Sequence, residues 1–381
     1  MDKSSRLPDF YKLNPEERLE IVKEFSQLSE KETQLIRKSG GLTLEKANKM
    51  VENTIGTQEL PLGIATNFKI NEKDRLIPMC TEEPSVIAAA SNGAKMAREM
   101  GGFKTESSKP LMIGQIQVIE LNNPKKAAKK IMAKEEKLLD LANEESSLEK
   151  KGGGAEKIET RIIGKGSNKM LIIHLIVDTR DAMGANVINT MVEKLGPYVE
   201  DITGGKTLLK IVSNLADKRI SIAEAKFSKE ELGGAKIVEN IIKAQKFAEN
   251  DPYRAATHNK GIMNGVQAVA LATGNDTRAI EAAAHAFATK NGIYQPLTKW
   301  SKTEQGNLKG RIKIPTPLGT IGGATKKNPI AQTCLKILDT DSSQELGGII
   351  AAVGLAQNLA ALKALTTEGI QKGHMKLHNK K

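Results

Sequence analysis

The hydrophobic pattern changes between residues 110 and 215, and this change constrains the fold more than any other feature of the sequence. Strand-like segments with apolar side chains occur there, separated by helical stretches and by a run of three glycines. In chain order the region contains a strand at 111–121, a charged helix at 124–148, strands around 158–163 and 170–177, a helix from about Gly184 and a strand at 207–212. This succession predicts an α+β unit, inserted as a domain at 110–215, with helices packed on a mostly antiparallel sheet.

The chain on both sides of this insertion is typical of helices. Short capped helices make up most of the first hundred residues, apart from strands and turns at 56–80. An alternating strand at 220–227 then leads into helices rich in Ala and Gly, which run through Ala288 and again from Pro329 to Leu365. We therefore expect residues 1–109 and 216–374 to form one large, helix-rich domain.

The charge balance favours anionic partners. The 381 residues include 57 Lys and Arg against 45 Asp and Glu, a formal net charge of +12. Nucleic acid and phosphorylated metabolites both fit that charge. Only seven Phe, four Tyr and one Trp are available, which is few for a protein that stacks bases. A phosphorylated small molecule is therefore the better match, and we expect no nucleic acid partner.

Cysteine content and hydropathy indicate a cytoplasmic protein. Cys80 and Cys334 are the two cysteines, and neither lies in a Cys-x-x-Cys pair. The N-terminus lacks the apolar core of a signal peptide, and polar residues interrupt the most apolar stretch, at 349–365. We expect no membrane-spanning segment.

Residues 178–186 follow the most apolar strand of the chain and begin a helix. Backbone donors there, with Gly184, could receive a phosphate or a nucleotide. The segment does not match the G-x-G-x-x-G fingerprint of Rossmann domains, and a tight turn that requires one glycine explains it equally well. The pattern alone leaves both interpretations open.

A second candidate segment, residues 251–265, brings a cation, two amides, a histidine and a lysine together among small side chains, which suits an oxyanion site. The sequence indicates no partner for the histidine, His258. Ion pairing at a helix start is the simpler explanation. Asp276 and the pair Glu82 and Glu83 lie near the beginnings of other helices, where a capping or first-turn role is usual. His374 and His378 have a spacing that could bind zinc, but the Glu of a metalloprotease helix is absent, so we expect no metal.

Taken together, the motifs resemble the hydroxymethylglutaryl-coenzyme A (HMG-CoA) reductases, specifically the class II form of bacteria and archaea. The residues that carry the resemblance run almost from end to end, at 52–57, 82–85, 181–186, 213–217, 251–261, 273–276, 322–326 and 367–375. The family fold is a large catalytic domain with an inserted smaller domain that binds the dinucleotide without a Rossmann fold. The implied reaction is the two-step reductive deacylation of HMG-CoA to mevalonate and coenzyme A by two reduced nicotinamides.

The resemblance also assigns roles to residues of this chain. Lys260 would stabilise the developing oxyanion, Glu83 would supply or relay protons, Asp276 would connect the two, and His374 would protonate the departing thiolate. The resemblance also implies which residues bind the substrate and the dinucleotide. Substrate would contact Ser85, Arg254 and Asn264, and the dinucleotide would contact Ser146, Asp181, Met183, Gly184, Asn186, Asn214 and Gly323.

Two features of the chain depart from the family pattern. Relatives that prefer NADH have an acidic residue near position 146, which would repel a 2′-phosphate, whereas this chain has Ser146. We therefore expect NADPH to be accepted at least as well as NADH. The family also continues into a C-terminal flap, of which residues 375–381 would be only the beginning.

The resemblance further implies a homodimer with the active site at the subunit interface, and higher assemblies of dimers are compatible with it. Two other functions remain open at this stage. The same enzyme could run in reverse and oxidise mevalonate, or a basic chain of this kind could bind nucleic acid, which salt-sensitive retention of DNA would reveal.

Overall fold

The computed structural model describes residues 3–38, 42–144, 146–367 and 369, and the chain divides into two compact units. Unit 1 comprises Met1–Ser107, Ser221–Ile314 and Thr320–Lys381, and unit 2 comprises Ser108–Ile220 and Pro315–Gly319. The α+β class with a separate sheet domain is confirmed. The short segment Pro315–Gly319, which we call the strap, belongs to unit 2 although the sequence pattern places it in the large domain.

The helices and strands are numbered here in chain order. The helices are α1 Pro15–Ser26, α2 Glu30–Arg37, α3 Leu44–Asn48, α4 Val86–Arg98, α5 Pro124–Met132, α6 Glu135–Asn143, α7 Ala185–Thr203, α8 Lys229–Leu232, α9 Ala235–Asn250, α10 Pro252–Ala272, α11 Thr277–Ala288, α12 Gly323–Lys327, α13 Pro329–Leu338 and α14 Ser343–Thr366. The strands are β1 Leu62–Ile70, β2 Lys73–Cys80, β3 Phe103–Ser107, β4 Leu111–Ile119, β5 Gly154–Ile163, β6 Met170–Asp178, β7 Lys206–Ser213, β8 Ile220–Phe227, β9 Thr298–Lys302 and β10 Leu308–Pro315.

Unit 1 contains a six-stranded sheet in the order β2-β1-β3-β8-β10-β9. Four buried aromatic side chains follow one another across this sheet: Phe68, Phe103, Phe227 and Trp300, with successive ring centroids 5.7, 6.5 and 5.7 Å apart. Such pairs combine large buried area with favourable ring geometry. The aromatic row therefore ties together strands from three distant parts of the sequence.

Helix α14 forms the centre of unit 1. By length and composition it could cross a membrane, but most of its apolar window is buried inside the protein. It packs on α4, α9, α10 and β3. A Cβ atom at Gly93 of α4 would lie 2.2 Å from the carbonyl oxygen of Ala356, so glycine allows these two helices to approach at backbone distance. The apolar stretch is thus a core helix in this structure.

Unit 2 is a four-stranded antiparallel sheet in the order β5-β6-β4-β7, on which α5, α6 and α7 pack. The single charged helix predicted at 124–148 is wrong, because the chain leaves helical geometry at Lys134 and α6 begins at Glu135. At the start of α6, Glu135 Oε1 accepts a hydrogen bond from the backbone N–H of Ile158 in β5 at 2.8 Å. The second helix is therefore aligned by the sheet edge rather than by α5.

Candidate active site

Glu83 lies on the turn between β2 and α4. Its backbone N–H donates to Thr81 Oγ1 at 3.2 Å, which holds the turn in shape. Two residues later Ser85 has a φ of 72°, in the left-handed region, and α4 begins at Val86. The Oγ atom of Ser85 is buried and has no hydrogen-bond partner among the described residues. The turn thus presents a carboxylate and an unpaired hydroxyl close together in the chain.

Helix α10 supplies the groups that contact this carboxylate. Asp251 caps the helix by accepting hydrogen bonds from the backbones of Tyr253 and Arg254. Lys260 and Asn264 are one turn apart, so they share a helix face. Both side chains contact Glu83 on the turn between β2 and α4.

The two contacts engage both oxygens of the carboxylate. Lys260 Nζ lies 2.8 Å from Glu83 Oε2, and Asn264 Nδ2 donates to Glu83 Oε1 at 3.3 Å. The Lys260 and Glu83 side chains remain 62% and 38% exposed, so the ion pair is open to a ligand. An ammonium, an amide and a carboxylate are thereby fixed at one open position, which suits stabilisation of a developing oxyanion.

Asp276 follows the end of α10 and serves as the N-cap of α11. Its Oδ1 accepts from the backbones of Arg278 and Ala279 at 3.0 and 3.1 Å, as the capping interpretation predicts. Among the described residues Oδ2 has no hydrogen-bond partner, so no contact with Lys260 or Glu83 is seen. Its role in connecting these groups stays a prediction. Thr325 donates to the carbonyls of Thr273 and Gly274 and so holds α12 against this turn.

Arg254 lies nearly three turns before Asn264 on α10 and is half-buried. Within the described chain its guanidinium makes no hydrogen bond or ion pair, and burial lowers its pKa from the ordinary value. A partly desolvated cation without a carboxylate partner is suited to receive an anionic ligand. The structure therefore keeps a guanidinium available on the helix that also carries Lys260.

His258, for which the sequence indicated no partner, belongs to a buried network beneath α10. Its Nε2 lies 2.6 Å from Thr298 Oγ1, which donates to Asn358 Oδ1 at 3.0 Å, and Trp300 Nε1 donates to the same oxygen at 2.8 Å. Burial lowers the pKa of His258 to about 3, so the imidazole is neutral at ordinary pH. The network fixes α10 against β9 and α14.

Four of the predicted dinucleotide residues, Asp181, Met183, Gly184 and Asn186, lie on the turn between β6 and α7 or in the first turn of α7. Gly184 has a φ of 93°, and a Cβ atom there would lie 2.3 Å from Thr179 Cγ2, so glycine is required. The N-cap of α7 is Gly184, so the first backbone N–H groups of this helix receive no side-chain cap from that residue. Asp181 and Met183 on the turn are partly buried, and Asn186 is exposed.

The other predicted residues are more dispersed. Ser146 follows α6 and is buried, with its Oγ accepting from the backbone of Leu148 at 3.2 Å. Asn214 is exposed after β7. Gly323 begins α12 in unit 1. His374 lies outside the described residues, and within the described ranges no group of three or more His, Cys, Asp or Glu residues could hold a metal ion.

Comparison with known proteins identifies the family of this chain. The hydroxymethylglutaryl-coenzyme A reductase family model matches residues 14–379. The 3-hydroxy-3-methylglutaryl-coenzyme A reductase of Archaeoglobus fulgidus is 56% identical over 376 residues, which cover 98% of this chain and 86% of that protein. A probable reductase of the same name from Borreliella burgdorferi is 39% identical and covers 86% of this chain and 76% of that protein.

Solved structures agree with this result. The class II 3-hydroxy-3-methylglutaryl-CoA reductase of Streptococcus pneumoniae, bound to NADPH in open conformations, has a TM-score of 0.92 and 41% identity. The match covers 94% of this chain and 99% of that chain. The resemblance drawn from the motifs is confirmed, and the chain belongs to the hydroxymethylglutaryl-coenzyme A reductase family of oxidoreductases.

Proposed function

We propose that this protein acts in the cytoplasm and reduces HMG-CoA to mevalonate and coenzyme A, with NADPH as a reductant. Family membership supports the reaction. The observation that carries the proposal is the contact of Lys260 and Asn264 with the two oxygens of Glu83. Reduction of a thioester places negative charge on the carbonyl oxygen, so the site must provide a cation and a proton donor at the same point.

Lys260 and Glu83 perform these two tasks in the proposal. The ammonium of Lys260 stabilises the charge that develops on the carbonyl oxygen, and Glu83 takes up a proton from solvent and passes it to that oxygen. Asn264 donates to Glu83 and holds the carboxyl group in position. The Oδ2 atom of Asp276 has no hydrogen-bond partner among the described residues. In the proposal Asp276 interacts with Lys260 and Glu83 when substrate is present.

Recognition of the substrate falls to Arg254 and Ser85, whose polar groups lack partners among the described residues. The free guanidinium of Arg254 would bind the terminal carboxylate of the hydroxymethylglutaryl group. The unpaired Ser85 Oγ would form a hydrogen bond with the same acyl group. In the proposal His374 protonates the coenzyme A thiolate as it departs, because histidine titrates in the physiological range.

The turn before α7 fits a dinucleotide. Its glycine allows close backbone approach, and its helix start presents N–H groups without a side-chain cap, which suit an anionic phosphate. A bound reduced nicotinamide would supply the hydride for each reductive step. Ser146 adds no negative charge where a 2′-phosphate would bind, so we propose that NADPH is used at least as well as NADH.

The test is nicotinamide absorbance with purified protein and limiting HMG-CoA. Two NADPH should be consumed for each HMG-CoA, with mevalonate and free thiol as products. Ser146→Asp should raise the KM for NADPH more than that for NADH, while Ser146→Ala is the matched control without charge. Absence of turnover with both nucleotides would refute the proposed function. A strong preference of the unaltered protein for NADH would refute the cofactor proposal alone.

We further propose a homodimer in which catalytic residues of one subunit act on nucleotide bound by its partner. The proposal follows from the family, and subunit complementation tests it. Lys260→Ala mixed with Asn186→Asp, each poorly active alone, should recover about one quarter of normal activity, since half the random dimers are mixed and each holds one intact site. No recovery between subunits shown to exchange would contradict a shared site.

A further inference from the structure

Arg219 is a buried cation of unit 2 that the proposed reaction does not use. It is 3% exposed, and it lies just before β8. Its Nη1 donates to Thr179 Oγ1 at 2.9 Å and to the carbonyl of Ala182 at 3.0 Å, both on the turn between β6 and α7. Its Nη2 donates to the carbonyl of Leu318 at 2.5 Å. One guanidinium therefore joins the candidate nucleotide turn to the strap Pro315–Gly319.

The strap also contacts the turn directly. The backbone N–H of Thr316 donates to the carbonyl of Arg219 at 2.9 Å, which fixes the start of the strap. At its other end, a Cβ atom on Gly319 would lie 2.8 Å from the backbone nitrogen of Met183 and 3.1 Å from the carbonyl oxygen of Asp181. The strap thus lies against the turn with no space for a methyl group.

The charge of Arg219 survives its burial. Desolvation lowers its pKa to about 10, and the carboxylates of Asp181 and Asp178 act in the opposite direction, so the guanidinium stays protonated at neutral pH. A buried cation is a weak source of net stability and can instead select one conformation of its surroundings. The planar fork of arginine suits this task because it can bind several oxygens in fixed directions.

We propose that Arg219 and Gly319 are positioning residues for the dinucleotide: together they hold the backbone of residues 179–184 in the conformation that receives the phosphates. This inference rests on the proposed nucleotide role of the turn. Neither residue needs to contact the nucleotide. Arg219 fixes the turn from within unit 2, and Gly319 lets the strap press against Asp181 and Met183.

Two substitutions test the proposal by different physical means. Arg219→Met removes the hydrogen bonds to the turn and strap, and Gly319→Ala pushes the strap away without changing charge. NADPH affinity is measured by quenching of nicotinamide fluorescence, and HMG-CoA affinity by calorimetry. We expect both variants to bind NADPH at least about tenfold more weakly, with HMG-CoA affinity changed less than about twofold. Arg219→Lys keeps the charge but not the planar fork of arginine, so its NADPH affinity should lie between those of the unaltered protein and Arg219→Met.

Arg75 of unit 1 provides a matched control. It is also 3% exposed, and its guanidinium donates hydrogen bonds to the carbonyls of Leu338 and Asp339 and to the carboxylate of Glu345. Arg75→Met should lower the melting temperature and leave NADPH affinity unchanged. Gly319→Ala should raise the KM for NADPH by a larger factor than it lowers kcat, because the substitution displaces the turn that receives the nucleotide and leaves Lys260 and Glu83 unchanged.

The outcomes separate this inference from the proposed function. Failure of the unaltered protein to bind NADPH would refute the nucleotide role itself. If the unaltered protein binds and folded Gly319→Ala binds equally well, the positioning role is refuted. It is also refuted if Arg75→Met weakens NADPH binding as much as Arg219→Met does, because the effect would then be one of general stability. Gly319→Ala decides the matter alone if Arg219→Met does not fold.

Discussion

Replacement of Lys260 by alanine separates catalysis from folding in this protein. In the structure the Lys260 ammonium pairs with Glu83 at 2.8 Å, but its side chain is 62% exposed. Exposed ion pairs contribute roughly 0–1 kcal/mol to stability, since water screens the charges and ordering long side chains opposes the gain. Lys260→Ala should therefore lower the free energy of unfolding by no more than about 1 kcal/mol.

The effect on activity should be far larger. Loss of one oxyanion-stabilising group typically reduces kcat by about 10²–10³-fold, or about 2.7–4 kcal/mol of transition-state stabilisation. Lys260 is the cation that the described site places against the proposed proton donor, so we expect a loss at the upper end of that range or beyond. Binding of HMG-CoA should change much less, because the charge on the oxygen develops only during the reaction.

The assay combines NADPH oxidation with urea unfolding of the same preparations. Lys336→Ala is the matched control, since Lys336 forms a similar pair with Glu32 at 2.7 Å in unit 1 and is not among the proposed site residues. The control should lose similar stability and keep its activity. Retention of more than about a tenth of the activity by Lys260→Ala would refute the assigned role. A large loss of stability would show instead that Lys260 supports the fold.

Three further predictions concern binding, pH and packing. Arg254→Met should raise the KM for HMG-CoA at least about tenfold and leave NADPH affinity unchanged, and an unchanged KM would exclude the carboxylate contact. The folded pKa of His258, about 3, lies below its ordinary 6.5, so the unfolded state binds more protons between these values. Stability should therefore fall as the pH drops through this window. The free energy of unfolding of His258→Gln, measured by urea titration, should depend less on pH than that of the unaltered protein. An equal pH dependence of the two proteins would contradict the prediction. Gly93→Ala should cost about 1–3 kcal/mol in thermal unfolding, because its methyl would meet the Ala356 carbonyl, and an unchanged melt would contradict the close helix contact.

The organisation of unit 2 could be predicted because most of it is continuous in the chain. Its strands and helices follow one another between Ser108 and Ile220, so local patterns indicate both the elements and the insertion. The six-stranded sheet of unit 1 was harder to infer, since its strands come from distant segments. In β10 the alternation of buried Leu308, Gly310 and Ile312 with charged residues is a readable signal, whereas β3 and β9 are five residues each and show little pattern.

The site was predictable to a different degree for each residue. The spacing of Lys260 and Asn264 places them on one helix face from local rules alone. Lys260 contacts Glu83, 177 positions earlier in the chain, and only the family resemblance predicts that these two residues share a site. The contact of Asn264 with Glu83, 181 positions earlier, is a finding of the structure that no sequence pattern predicts. For Asp276 the structure shows the capping role that the local pattern predicts, and its part in catalysis stays a prediction.

Residues that position a site are harder to find in a sequence than residues that form it. Groups that touch a ligand occur in motifs, because several of them must converge on the same atoms. Arg219 and Gly319 instead act through turn backbone, and the Arg219 contact with Leu318 joins positions 99 residues apart. Neither composition nor periodicity distinguishes such residues from an ordinary surface arginine or loop glycine. Their recognition needs burial and contact distances, so the strap adds to the candidate site a component that only the three-dimensional structure reveals.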